Sequence, residues 1–505
     1  MNNLKRVGIN MISGGVGFVI PMAINFFSTP YVIKILGKEA FGLQVLGNVI
    51  IGYLIVADMG LDIPITKKIA EYYAKNDEGY KSKFLIATIK LYFIIGLLGT
   101  LIVFLFTEKL ISLLAIPSGL LHDAKLVFYM TSIGFMGSII NMWGKAVFNG
   151  IHRYDLANAV SIFNNLFGVI IGILLLVNGY GVIGFFSARI VGLLVSGLIY
   201  IFLARKLMNR FTLFPIIDYE VWSYLKEQIG YGFVLRLSGM IFSRMDQTLI
   251  SSYLGVAVLT VYSIPILIAN TLSGLIASVT HFAFPMASSM SFTRSISEME
   301  PFFIRISKFI TIISTLVFVP FIIFGDKFLA LWISTEVSSQ SHIVLVMLLS
   351  AFYINTCFTI AIIVFMVGIG QLKTFTFYGA TRGILLMINF AFLIKFYGLE
   401  GAGYSYIISL VLDFAFLVYC LRNKLKFNIR AVSNAHIKPI ALGLFLGTIM
   451  FFLRSYASSW INLLALITSF PIAYCIIGWL INLFDHTEKE IIYKLVNKIG
   501  FGVRN

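Results

Sequence analysis

The chain has 505 residues, of which 59% are apolar and only 12% are Asp, Glu, Lys or Arg. Soluble domains carry roughly 25% charged residues, so a soluble enzyme, a disordered chain and a coiled coil are all excluded. The formal net charge of +16 would suggest nucleic acid in a soluble protein. At a mean hydropathy of +0.94 it points first to cytoplasmic loops.

Apolar blocks of about 20 residues cross a hydrocarbon core of roughly 30 Å as helix. Backbone groups in lipid must be satisfied within the segment, so such blocks have to be helical. Fourteen spans are predicted, over 10–35, 40–60, 84–106, 124–149, 157–178, 182–204, 229–251, 256–285, 306–326, 342–367, 376–397, 399–421, 438–454 and 459–483. The first follows Lys5 and Arg6. It is too long for a signal-peptide core and lacks a small-residue cleavage site, so it reads as a retained helix. The longest polar stretches, 61–83, 205–228, 286–305, 422–437 and 484–505, are too short for a further domain. Cys357, Cys420 and Cys475 fall inside apolar blocks, and the six histidines show no HxxxH spacing. No disulfide framework, metal site or cofactor is therefore expected.

The cations sort by side. Twenty-five of the 38 Lys and Arg lie at the chain start, in the alternate loops and in the tail, on one face; seven lie on the other and six within spans. That bias predicts cytoplasmic termini and an even number of spans.

Landmarks recur at one offset. Leu36-Gly37 returns as Leu254-Gly255, and Glu108-Lys109-Leu110 with Leu113 as Asp326-Lys327-Phe328 with Leu331, both 218 residues on. Tyr180-Gly181 with Gly184 returns as Tyr397-Gly398 with Gly401, and Arg205 as Arg422, both 217 on. A repeat of six helices returns to its starting side, so the halves share one orientation. The predicted fold is an all-α polytopic membrane protein with two parallel six-helix lobes around a central cavity and a C-terminal helix pair. Its divisions are 1–217, 218–437 and 438–505. Paired lobes of this kind suit alternating access.

Several strings carry a resemblance. Leu36-Gly37-Lys38-Glu39-Ala40-Phe41-Gly42-Leu43 looks like the "LG…FG" segment of polysaccharide exporters. Asp58-Met59-Gly60-Leu61 leading to Lys67-Lys68-Ile69-Ala70 resembles the end of their second helix, and Arg244-Met245-Asp246-Gln247 with Leu254-Gly255 and Tyr262 their seventh. Together these resemble the O-antigen flippase type of the multidrug/oligosaccharidyl-lipid/polysaccharide superfamily. The resemblance implies a two-lobed fold of twelve to fourteen helices. It also implies translocation of undecaprenyl-pyrophosphate-linked oligosaccharide between leaflets of the bacterial inner membrane. The partners implied are that lipid, the bilayer, H+ or Na+, and the polysaccharide polymerase with other assembly proteins; nucleic acid is not among them. The stretch from Val7 to Ile33 has no Arg or Lys, a departure from lipid II flippases, which carry arginines there. The alternative within the superfamily is a cation-coupled drug or metabolite antiporter. A membrane enzyme is disfavoured by short outer segments, 107–123 and 327–341, with few acids or histidines.

A charged residue at mid-membrane costs roughly 2.5–3.5 kcal/mol on insertion scales, so the six intramembrane cations need a reason to be there. Arg236 and Arg244 are eight apart in one span. Two turns rotate by about 80° and rise about 12 Å, so both can face one cavity at two depths and hold a diphosphate. Arg382 reads as a phosphate contact, a snorkelling residue or an ion pair with Asp413, and Arg189 as a glycan or phosphate contact nearer the outer side. Lys90 and Lys145 lie close enough to the inner face to snorkel. Asp58, Asp413 and His281 are candidates for ion coupling. Their alternatives are a helix-end hydrogen bond, an ion pair and a packed histidine. Asn25, Asn141, Asn164, Asn165, Asn270, Asn355 and Asn389 either bind sugar hydroxyls or join helices. Pro21, Pro30 and Pro265 are candidate kinks beside a gate.

Overall fold

The computed structural model describes residues 2–207, 219–280, 283–293 and 295–484. Among these there is no strand. In chain order the helices are α1 (Asn2–Leu54), α2 (Asp62–Ala74), α3 (Glu78–Ser112), α4 (Leu121–Gly150), α5 (Tyr154–Val177), α6 (Gly181–Arg205), α7 (Tyr219–Leu254), α8 (Val256–Thr280), α9 (Ala283–Thr293) and α10 (Glu300–Trp332). There follow α11 (Thr335–Gly368), α12 (Leu372–Tyr397), α13 (Glu400–Tyr419), α14 (Ile429–Phe452) and α15 (Trp460–Leu480).

Local chemistry starts several of them. Free N–H groups open each helix, and a side-chain oxygen just before it can accept from them. Asp77 accepts from Tyr80 N at 3.1 Å to open α3. Ser334 accepts from Val337 N at 3.2 Å to open α11, and Asn428 from Arg430 N at 3.0 Å to open α14. Four repeat landmarks share a backbone property. Gly37 and Gly255 have φ 76° and 88°, and Gly181 and Gly398 have φ 57° and 56°. These are left-handed values that glycine alone adopts cheaply, so the sequence repeat coincides with a repeat in conformation.

Twelve helical segments among the described residues are long and apolar enough to span a bilayer. Two features separate this figure from fourteen. The first and second expected spans fall in one helix, α1, interrupted only at Gly37 (φ 76°, ψ 171°). The expected seventh span lies in α7, which is outside the twelve and holds Arg236, Arg244 and Asp246. α1 runs as helix through Pro21 and Pro30, and α8 through Pro265.

The chain forms two compact units, Met1–Ile264 with Thr376–Ser405, and Pro265–Phe375 with Tyr406–Asn505. In the first, α1 packs on α4, α5, α6 and α7, and α4 on α3 and α6. Its core holds Phe84, Tyr92, Phe135, Trp143 and Tyr200, all nearly inaccessible. The polar tips of these aromatics are satisfied, as burial requires. Trp143 Nε1 donates to Thr88 Oγ1 at 3.0 Å, and Tyr200 OH to the Ala157 carbonyl at 2.8 Å. On α3, by contrast, Phe93, Leu97, Leu101, Phe104 and Leu105 are exposed. A continuous apolar face of this size has no place in water, and lipid is its natural solvent. In the second unit α10 packs on α11, α14 and α15. Thr311 Oγ1 meets His436 Nδ1 at 2.6 Å, and Thr315 Oγ1 meets Tyr353 OH at 2.8 Å. Arg454 clasps Asp326 at 3.1 and 2.7 Å, tying the end of α14 to α10.

Candidate functional site

The first unit holds a partly open cavity of about 180 Å³ lined by polar and apolar side chains. α1 contributes Asn25, Asn48 and Gly52; α4, Ser138; α5, Asn164, Asn165 and Gly168; α6, Arg189; and α7, Arg244. Ile51, Val169, Phe185 and Leu193 complete the wall. None of these lining residues is acidic. Ligand pockets commonly run to about 300–1,000 Å³, so this one suits part of a large ligand rather than the whole.

Glycines set where the arginines lie. A Cβ on Gly52 would stand 3.1 Å from Arg244 Nε and 3.5 Å from its Cδ, so the guanidinium stem lies against bare α1 backbone. A Cβ on Gly168 would stand 3.4 Å from Arg189 Cα, which fixes the close approach of α5 to α6. Tyr53 OH donates to the Arg244 carbonyl at 3.2 Å and pairs with Thr248 Oγ1. These contacts lock the turn of α7 that carries Arg244 onto α1. The two guanidiniums are near enough to repel each other electrostatically. Neither has an ion-pair partner among the described residues.

The other intramembrane groups go elsewhere. Asp246, two residues from Arg244, is buried and turned toward α8: its Oδ2 accepts from Tyr262 OH at 2.5 Å and its Oδ1 from Gln247 N at 2.8 Å. Asp58 is buried at the end of the short helix Ile55–Asp58 and accepts from Tyr92 OH. Asp413 on α13 is buried and accepts from Asn355 Nδ2 at 2.6 Å. Arg382 is buried on α12 and does not line the cavity. Arg236 lies on α7 with its side chain outside the described residues, and His281 lies outside them altogether.

Of the asparagines, Asn141 joins helices: its Nδ2 donates to the Gly137 and Leu193 carbonyls, both at 2.7 Å. Asn25, Asn164 and Asn165 line the cavity. Asn48, Ser138, Gly52 and Gly168 were not singled out from sequence. Asn48 sits in a weakly patterned stretch, and the glycines matter only through what crosses them. A small-residue position four before or after an intramembrane amide was the available signal.

Such a fold and cavity define a polytopic membrane protein with an arginine- and amide-lined cavity. The profile of the polysaccharide biosynthesis protein family matches residues 5–291, and the chain belongs to that family. A Shigella flexneri protein named "Putative O-antigen transporter" is 23% identical over 409 residues, 79% of this chain and 93% of that protein. The fold is similar to that of the lipid II flippase MurJ in an inward closed conformation. There the TM-score is 0.74 at 14% identity, covering 94% of this chain and 100% of that one. It is also similar to an inward-facing multidrug resistance MATE family transporter of the MOP superfamily. That match has a TM-score of 0.63 at 17% identity, over 83% of this chain and 98% of that one.

Proposed function

We propose that the chain is a flippase for a polyprenyl-pyrophosphate-linked oligosaccharide, an O-antigen or other surface-polysaccharide repeat unit. It carries this lipid from the cytoplasmic to the periplasmic leaflet of the bacterial inner membrane by alternating access. The observation that carries the reading is the pair Arg189 and Arg244, without acidic partners among the described residues, in one amide-lined cavity. An unpaired charge in a low-dielectric site is costly, several kcal/mol per ion in real proteins. Two of them side by side make sense only as a place that an anion completes. A pyrophosphate supplies charge and acceptor oxygens for both guanidiniums, while the polyprenyl tail stays in lipid. A transporter of cationic drugs would need the opposite polarity, so the antiporter alternative is disfavoured here. The family and the O-antigen transporter relative support the same reading. The step is transport without chemistry.

The lobes of this machine are 1–217 and 218–437, followed by 438–505, a division supported by the paired left-handed glycines. Both termini lie in the cytoplasm. H+ or Na+ coupling is assigned to the buried carboxylates Asp58 and Asp413 and to His281, with Arg236 and Arg382 serving the substrate elsewhere along its path. The polysaccharide polymerase would receive the product. Deleting the gene tests this reading: lipid-linked repeat units should accumulate in the cytoplasmic leaflet while surface polysaccharide disappears. Unchanged surface polysaccharide contradicts it.

A further inference from the structure

The geometry points to a glycosyl-phosphate subsite, in which arginines grip the anion and asparagine oxygens accept from the hydroxyl or acylamino donors of the attached sugar. This rests on the flippase reading above and adds what the cavity demands of its substrate. Three of the amides are oriented by their own helices. Asn25 Nδ2 donates to the Pro21 carbonyl at 2.9 Å, Asn48 Nδ2 to the Gln44 carbonyl at 3.0 Å and Asn165 Nδ2 to the Ser161 carbonyl at 2.9 Å. A carbonyl oxygen can only accept, so the amide nitrogen must occupy that side. The amide oxygen then takes the other branch, the one left for the cavity these residues line. Asn164 also lines the cavity, but its Oδ1 is buried against Gly192 of α6 and is not counted among these acceptors. The wall therefore presents amide oxygens from α1 and α5 together with guanidiniums from α6 and α7.

Ligand classes separate on this pattern. Inorganic or lipid phosphate satisfies the arginines but sets its oxygens against the amide oxygens, acceptor to acceptor. A metal cation or ammonium suits the amide oxygens but meets two arginines with no acid to offset them. A glycosyl phosphate satisfies both, because its anionic group and its uncharged donors are adjacent. The small volume admits the anion and the sugar beside it rather than a whole repeat unit.

The test uses the full-length protein in nanodiscs and isothermal titration. The probes are a short-chain polyprenyl pyrophosphate and the same lipid bearing one N-acetylhexosamine. The wild type should bind the glycosylated lipid at least about tenfold more tightly than the bare one, the worth of one or two net hydrogen bonds. Asn48→Leu and Asn165→Leu should each erode that preference by about five- to tenfold and leave bare-lipid affinity within about twofold. Asn48→Asp, which keeps the oxygens and the helix, should weaken both lipids yet retain the preference. Arg189→Gln should weaken both together. Equal losses for both lipids in the Leu variants, or none, overturn the subsite. So does saturable Na+ binding that the Leu variants abolish, since the oxygens would then serve a cation. A wild type that binds neither lipid overturns the flippase reading itself.

Discussion

Replacing Arg189 with Met should make the protein more stable and nearly inactive. Met keeps much of the length of the stem and removes the charge. A membrane-centre arginine costs roughly 2.5–3.5 kcal/mol; the amides around the cavity and its partial exposure offset most of that, leaving about 1 kcal/mol to be regained. Domains of 150–250 residues gain about 2–4 °C per kcal/mol. A longer chain gains less, so the melting temperature should rise by about 1–2 °C. Transport moves the other way. Losing a charge-assisted hydrogen bond to phosphate costs about 1.5–3 kcal/mol, a fall of about 10–150-fold. The assays are thermal melting of purified protein in detergent and restoration of surface polysaccharide in a deletion strain. A fall in melting temperature alongside lost transport would show that Arg189 is a structural residue, and undiminished transport would remove it from the site.

Gly52→Val should cut transport by about tenfold through displacement of Arg244, whose Nε would lie 3.1 Å from the new Cβ. Gly52→Ala should be intermediate and slightly stabilising, since alanine favours helix over glycine by about 0.5–1 kcal/mol; a destabilised alanine variant would contradict this. Tyr92→Phe removes the hydrogen bond to buried Asp58. It should cost about 1–3 kcal/mol, read as a lower melting temperature, with Asp58→Asn gentler than Asp58→Ala. At the end of α2, outside the spans, hydrogen bonds from Lys75 and Lys68 pull Glu71 down from 4.5 to about 2. A depressed carboxylate stabilises fully above its unfolded value and loses that contribution as pH falls toward 2. Glu71→Gln should therefore flatten the pH dependence of stability between about 4.5 and 2, and an unchanged slope would refute the assignment.

The helical scaffold was legible because lipid leaves a long apolar block no other backbone structure. α7 shows where that logic thins: Arg236, Arg244 and Asp246 make it too polar to be counted by composition, although Tyr53 holds it against α1. Arg189 and Arg244 were visible as intramembrane charges. Their convergence was not, because 55 positions separate them on two different helices, and spacing along one helix says nothing about the next. The partner of Asp246 was not legible either: it is Tyr262, which reaches the carboxylate from α8. Asn48 escaped notice because an amide that bonds its own helix resembles one that joins two helices until its neighbours are known. Gly52 and Gly168 carry no signal of their own, since their role is the space they leave for a side chain from elsewhere.

The most direct test is a leaflet-accessibility assay in proteoliposomes reconstituted with purified protein and a polyprenyl-pyrophosphate-linked oligosaccharide. Wild-type protein should move the glycan head across the bilayer, and Arg189→Gln combined with Arg244→Gln should reduce that movement to the protein-free rate. Full movement by the double variant would contradict a site built on these two arginines.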